Sequence, residues 1–332
     1  MQKPRPSFDY ELPEDRIAKH PPERREDARL LHMDAQGKVD DRHIGDLVSL
    51  LPAGSGVWVN ETKVLHARMM ARKPTGGVLE LLLLEPTDMP VEKALVARSP
   101  VVWNAMVGGA KKWKSGHLDI PYSGVDLRVE REEGRNGQAL RFSWTGEDRF
   151  GEILDRLGRI PLPPYMRREA EAADEDRYQT VFARLPGSVA APTAGLHMTE
   201  GLIQRLTAKD SALGKVTLHV GVVTFKRLSG EVDGHVMHGE RCLVDGASLR
   251  RLAGIEDLTV VGTTSLRTLE SAFWLACRWK AGGAGPEVDV AQWIHREVEP
   301  QFTTFREAAG WLADQVGEDG TLEFVTHLMV VP

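Results

Sequence analysis

From about Ala67 to Trp144 the sequence reads as closely spaced strands between turns, with no helical period, while the flanks on both sides mix strand-like and helical segments. An all-β stretch satisfies its backbone through neighbouring strands, whereas an α/β layer needs crossover helices, so the two textures call for separate arrangements. Lys73-Pro74-Thr75-Gly76-Gly77 turns the chain ahead of the apolar run Val78 to Leu84, and Gly108-Gly109 precedes a lysine-rich stretch. In DLRVEREEGRNGQALRFSW, Leu127 and Val129 alternate with polar residues, Glu133-Gly134-Arg135-Asn136-Gly137 turns the chain, and Leu140, Phe142 and Trp144 alternate back. That pattern predicts a hairpin, and the stretch as a whole a small barrel or sandwich.

The flanks carry strand-like VWVN (Val57 to Asn60), TLHVG (Thr217 to Gly221) and LTVVG (Leu258 to Gly262). Leu266, Leu269 and Phe273 follow on one helical face, and Thr304-Phe305-Arg306-Glu307 reads as a capping box ahead of the stripe Ala308, Trp311, Leu312 and Val316, which Gly317 ends. The expectation is therefore an α/β domain with a mixed sheet, residues 1–66 and 150–332, interrupted by a small β-barrel domain, residues 67–149. A length of 332 residues agrees, since single cores stop growing at roughly 250–300. Ala281 to Pro286, rich in Gly, reads as a flexible surface loop.

Several function classes fall away. Only two cysteines occur, Cys242 and Cys277, too far apart for a Cys-x-x-Cys motif, and their scarcity fits a reducing, cytoplasmic compartment. The first twenty residues lack the apolar core of a secretory signal, and no run reaches the ~18 apolar residues of a membrane span. A net charge of −6 argues against a protein that coats nucleic acid non-specifically, though not against a local basic face.

Four segments can carry chemistry. In GSVAAPTAGLHMTEGL (Gly187 to Leu202), small residues around Pro192, Thr193, Gly195 and His197 let backbone amides approach a ligand, or simply form a tight loop capped by Thr199. In KVTLHVGVVTF, His219 sits in a strand-like run, as a core residue or a proton carrier. His235, His238 and Glu240 lie within six residues, but their spacing matches no common zinc signature and no metal is expected. VVGTTSLRTLES places Thr263, Thr264 and Ser265 at a strand-to-helix turn suited to an anion, with Arg267 and Glu270 one and two turns in. Among the basic clusters, Lys111, Lys112 and Lys114, interleaved with Trp113, are the first candidates for phosphate contacts, with Arg167 and Arg168 beside them.

These segments, in this order, resemble the S-adenosylmethionine:tRNA ribosyltransferase-isomerase family of queuosine biosynthesis. The resemblance begins at FDYELPEDRIAKHPPERREDARLL and continues through WVNETKVLHARM, KPTGGVLELLLLE, GRIPLPPYMRR and DRYQTVFA to LHVGVVTF, HVMHGE and VGTTSLRTLES, over most of residues 8 to 271. It implies an α/β domain with an inserted β-barrel, and transfer and isomerisation of the ribosyl group of S-adenosylmethionine onto 7-aminomethyl-7-deazaguanine in tRNA. The product is epoxyqueuosine, with adenine and methionine released. S-adenosylmethionine is consumed, and no cofactor, metal, membrane or second subunit is implied. The chemistry needs a base for the C5′ proton beside the sulfonium, an acid for the departing adenine, and a dry pocket. His197, His219, His235, His238 and Glu240 are the candidates for proton transfer, with His197 first. Pro192, Thr193, Gly195, Thr263, Thr264, Ser265, Arg267 and Glu270 are expected to hold the donor. Lys111, Lys112, Lys114, Arg167 and Arg168 are expected to hold tRNA. Met198 stands where the family has Phe, and Val223 near a family Gly. The family continues past THLMVVP (Thr326 to Pro332) into Pro-Gly-Tyr and a later Thr-Asn-Phe-His segment that this sequence lacks. A truncated chain or a shorter lineage is expected, and the alternative function is a binder of tRNA or S-adenosylmethionine impaired in turnover.

Overall fold

The computed structural model describes residues 10–122, 125–132, 139–221 and 234–331. Val223 and the turn 133–137 lie outside the described residues. The chain begins with a hairpin of β1 (Arg29–Met33) and β2 (Val39–His43), then a short helix α1 (Leu47–Leu50), β3 (Gly56–Asn60) and β4 (Thr62–Val64). Next come β5 (Arg68–Arg72), β6 (Val78–Pro86), helix α2 (Val91–Val96), β7 (Val101–Val107), β8 (Leu118–Tyr122), β9 (Val125–Arg131), β10 (Ala139–Ser143) and helix α3 (Phe150–Leu157). Helix α4 (Asp174–Arg177), β11 (Leu185–Ser188), helix α5 (Glu200–Thr207), β12 (Ala212–Leu218), β13 (Glu240–Asp245) and helix α6 (Gly246–Gly254) lead to β14 (Leu258–Val260). Helix α7 (Thr263–Lys280), helix α8 (Phe305–Val316) and β15 (Thr321–Thr326) complete it.

The main sheet is mixed, in the order β14-β3-β12-β13-β15. β3 runs parallel to both β12 and β14, while β13 is antiparallel to β12 and β15. Every residue of β3 is buried, because successive side chains leave on opposite faces and both faces are covered. Trp58 enters the core formed with α6, α7 and α8, and Val57 and Val59 enter a second core with Leu202 and Leu206 of α5. Thr304 caps α8 through the Glu307 amide at 3.3 Å, as its sequence predicts, and Gly317 ends it at φ 79°. In α7 the buried stripe is Leu269, Ala272, Leu275 and Ala276, and Leu266 is 37% exposed. The expected face is therefore rotated, since the core lies toward the small residues. The segment 281–286 is also more constrained than a flexible loop, because Arg278 donates to the carbonyls of Ala284 and Gly285, both at 2.8 Å.

Strands β5 to β10 pair in the closed order β10-β7-β6-β5-β8-β9, with β10 bonded to both β7 and β9. The expected hairpin is present, Phe142 lying opposite Val129. Alternate residues point inward: Leu79, Leu81 and Leu83 of β6, Trp103 of β7, Leu118 and Ile120 of β8, and Leu140 and Phe142 of β10. Phe150 of α3 plugs this core, with ring centroids 5.4 to 5.7 Å from Phe142, Trp103 and Trp144. Such pairs contribute roughly 0.5–1.5 kcal/mol each beyond the area they bury.

Gly214 of β12 lies opposite Trp58, and a Cβ there would stand 1.9 Å from the indole. Gly214→Ala should destabilise the protein by at least about 1–3 kcal/mol, the scale of an overpacked core, read as a lower urea midpoint. Gly254→Ala, where a Cβ meets nothing within 4 Å, is the control and should leave the midpoint within ~0.5 kcal/mol of the parent.

Candidate active site

The parallel strands β14, β3 and β12 direct their carboxyl ends to one edge of the main sheet, with β12 and β14 on opposite sides of β3. In α/β sheets that edge is where connections diverge and leave a crevice. Asn60 ties the two inner strand ends together: its Oδ1 accepts the amides of Thr62 and Leu218, both at 3.1 Å, and its Nδ2 donates to the Leu218 carbonyl at 3.0 Å. β12 stops at Leu218, so His219 stands just beyond the strand at this edge rather than inside it.

A cleft of about 640 Å³, counting its open mouth, lies here. Leu84, Pro86, Met89, Pro90 and Val91 give it an apolar wall, and Gly187, His219, Gly221, Gly239, Glu240 and Arg241 a polar one. His219 is 8% exposed. Its Nδ1 lies 2.9 Å from Thr62 Oγ1, and its Nε2 lies 3.6 Å from Glu92 Oε1 with no hydrogen-bond partner. Glu92 in turn accepts both of its bonds from Arg241 Nη1, at 2.7 and 2.8 Å, and Arg241 Nε donates to Glu323 at 2.6 Å. The contact to His219, and then the Arg241 guanidinium, hold the Glu92 carboxyl down to about 2 against the opposing effect of burial.

Glu240 accepts the Gly221 amide at 3.0 Å and pairs with Arg267. Burial pushes its carboxyl above the ordinary carboxylate range, opposed by the Arg267 charge. Arg267 donates further to the carbonyls of Thr326, at 2.9 Å, and His238, at 3.3 Å. Its guanidinium is therefore turned inward onto this chain, not outward as the clamp for a ligand carboxylate that its place in the sequence suggests.

The loop before α5 forms a short 3-10 turn, Thr193–His197, and Thr199 caps α5 through the Leu202 amide at 3.0 Å. Pro192 and Gly195 are buried and Thr193 is exposed. The turn Gly262 to Ser265 packs against this loop, a Cβ on Gly262 falling 3.3 Å from Ala194. Two of the sequence segments are thus neighbours. Neither Thr264 nor Ser265 caps α7, because Ser265 Oγ donates back to the Val261 carbonyl at 2.8 Å. Thr263 and Glu270 remain on the exposed side of α7. His197 is half-buried, and burial, then the charge of Arg25, holds its imidazole below the ordinary value. Arg25 Nη1 anchors the same loop through the Leu196 carbonyl at 2.8 Å.

Other candidates stand apart. The His235 carbonyl accepts from Gln292 at 2.6 Å, His238 is exposed, and among the described residues no group of His, Cys, Asp and Glu side chains is arranged to hold a metal ion. Lys111, Lys112 and Lys114 are exposed, but Trp113 is 2% exposed and packs in the core of the closed sheet, so it is no stacking platform. Arg168 is committed to Asp174, at 2.6 and 2.7 Å, and Arg167 pairs with Glu14. That makes Arg168 a structural residue rather than a free phosphate contact. Thr62 and Ser188 lie inside quoted segments and Glu92 and Arg241 outside them; none is singled out by the sequence, and only the pairing of distant segments brings them to His219.

Arg267→Met should cost about 3–5 kcal/mol at pH 8, because it strands a buried carboxylate. An acid whose folded pKa is raised costs stability above that pKa and nothing below its unfolded one, so the loss should shrink as the pH falls into the carboxylate range. Adding Glu240→Gln should recover much of it. Urea unfolding of both variants at pH 5 and pH 8 measures this, and an equal loss at the two pH values would count against a buried charge.

A model of the family described as queuosine biosynthesis protein matches residues 5–304. The S-adenosylmethionine:tRNA ribosyltransferase-isomerase of Anaeromyxobacter sp. (strain Fw109-5) is 42% identical over 291 residues, covering 84% of this chain and 79% of that one. The protein of the same name from Sorangium cellulosum (strain So ce56) is 40% identical over 284 residues, covering 80% and 76%. A solved S-adenosylmethionine tRNA ribosyltransferase from Thermotoga maritima is 21% identical over 97% of this chain and 99% of that one, with a TM-score of 0.32, too low to support an argument about the fold. On the family match and these identities, the chain belongs to the queuosine biosynthesis protein family.

Proposed function

We propose that this protein transfers and isomerises the ribosyl group of S-adenosylmethionine onto 7-aminomethyl-7-deazaguanine in tRNA, forming epoxyqueuosine and releasing adenine and methionine. The reading rests on the family match over residues 5–304, and the site's chemistry agrees with what the reaction demands. The cleft offers an apolar wall for a purine and carboxylates for a sulfonium cation. His197, held below its ordinary value, is unprotonated near neutral pH, the form a base for the C5′ proton must take. Glu240 is a carboxyl made more basic by burial and serves as a second proton carrier beside His238. The Thr193–His197 turn and the Gly262 to Ser265 turn hold the ribose and methionine parts of the donor through backbone amides. The reaction as written draws on no redox cofactor or metal.

Residues 67–149 act in this reading as an inserted β-barrel domain that carries the tRNA, with Lys111, Lys112 and Lys114 on phosphates. The closed pairing of β5 to β10 and the exposure of the three lysines support this. The enzyme works as a monomer in the cytoplasm. No helix among the described residues is long and apolar enough to cross a membrane.

Incubated with S-adenosylmethionine and tRNA carrying the deazaguanine, the protein should release adenine in proportion to the modified nucleoside formed. His197→Gln should slow release by ~10²-fold or more with both substrates still bound. Binding of both substrates by the parent protein without adenine release would overturn the reading.

Reversing Lys111, Lys112 and Lys114 to Glu should weaken tRNA binding and flatten its salt dependence, each lost phosphate contact removing a slope of roughly 0.9 on duplex nucleic acid. An unchanged slope would move the tRNA face elsewhere.

A further inference from the structure

The geometry points to Glu92, clamped by Arg241, as a positioning residue that keeps the His219 proton on Nε2, directed into the cleft. The other ring nitrogen, Nδ1, meets a chain of two hydroxyls, Thr62 and Ser188. Ser188 Oγ accepts the Val220 amide at 2.8 Å and shares one hydrogen bond with Thr62 Oγ1 at 2.7 Å, in which either hydroxyl can donate. When Ser188 donates, the Thr62 proton goes to His219 Nδ1 at 2.9 Å and the imidazole proton resides on Nε2; when the chain runs the other way, Nδ1 donates to Thr62.

Glu92 selects the first of these arrangements from the opposite side of the ring. At 3.6 Å its carboxylate is too far from Nε2 for a hydrogen bond, yet close enough that an N–H facing it is strongly favoured over a lone pair. Arg241 grips Glu92 through both carboxylate oxygens and is itself anchored on Glu323. Gly187 closes the remaining side, since a Cβ there would stand 2.6 Å from the imidazole ring. The ring is thus held by three chain segments, with a buried Nε2 that lacks a hydrogen-bond partner and lines the cleft. A buried donor left unpaired costs free energy that a ligand acceptor recovers.

His219 therefore offers the cleft a hydrogen-bond donor, suited to an acceptor atom such as a purine ring nitrogen or a ribose oxygen, and is not the base. Its part in turnover rests on the function proposed above, but its tautomer does not. Glu92 acts only through His219.

The substrate-free full chain, labelled with 15N-histidine and recorded at alkaline pH, reads the tautomer directly, with His219→Gln identifying the signal. The parent protein should show a single neutral form protonated on Nε2. Glu92→Gln should admit the form protonated on Nδ1 and lower kcat for adenine release by ~10-fold or more, with KM for S-adenosylmethionine little changed. A parent ring protonated on Nδ1 overturns the inference without any variant, as does a Glu92→Gln protein that keeps the parent spectrum or the parent kcat. If the parent releases no adenine at all, the function fails while the spectrum still decides the positioning.

Discussion

Strand β3 has no solvent side. Trp58 leaves it into one hydrophobic core and Val57 and Val59 into another, so the strand cannot shift register by one residue without driving an indole into the space of two valines. Its neighbours β12 and β14 inherit that register, and Gly214 is small because Trp58 stands opposite. Everything at the carboxyl edge hangs from these three strands. Thr62 follows β3, His219 follows β12 and the Gly262 turn follows β14, so a fixed register delivers three candidate segments to one edge of the sheet.

The polar groups at that edge are charged, partly buried and paired. Pairs of this kind contribute little net stability, because desolvation offsets most of the attraction. Their consequence is orientation. Arg267 holds Glu240 at the cleft while also bonding two carbonyls, so one guanidinium ties β13, β15 and α7 together around a carboxylate. Arg241 does the same for Glu92, which arrives from the short helix between β6 and β7. The closed sheet and the mixed sheet thus meet through an ion pair at the cleft as well as through apolar contact.

Much of the architecture was legible in the amino-acid order because it is governed by local periodicity. The alternation of Leu127 and Val129 with Leu140 and Phe142, the Thr304 cap and the stop at Gly317 follow from backbone chemistry within a few residues. The loop from Gly187 to Leu202 was likewise visible as a run of small residues ending in a cap. The stripe on α7 was misjudged because Leu266 is apolar by type, whereas burial depends on which side the sheet lies. Trp113 lies between exposed lysines in the sequence, yet its indole fills the core of the closed sheet for the same reason.

The strand and helix segments, the break in texture near Ala67 and the chemistry of the available side chains follow from the order of residues alone, since each of these depends on near neighbours along the chain. Which of those side chains meet is set by the packing of distant segments. Glu92 meets His219 across 127 residues of chain, and Arg267 meets Glu240 rather than solvent. Such partnerships arise from the register of strands distant in sequence and from the burial of charge between them, and neither leaves a local pattern to be read.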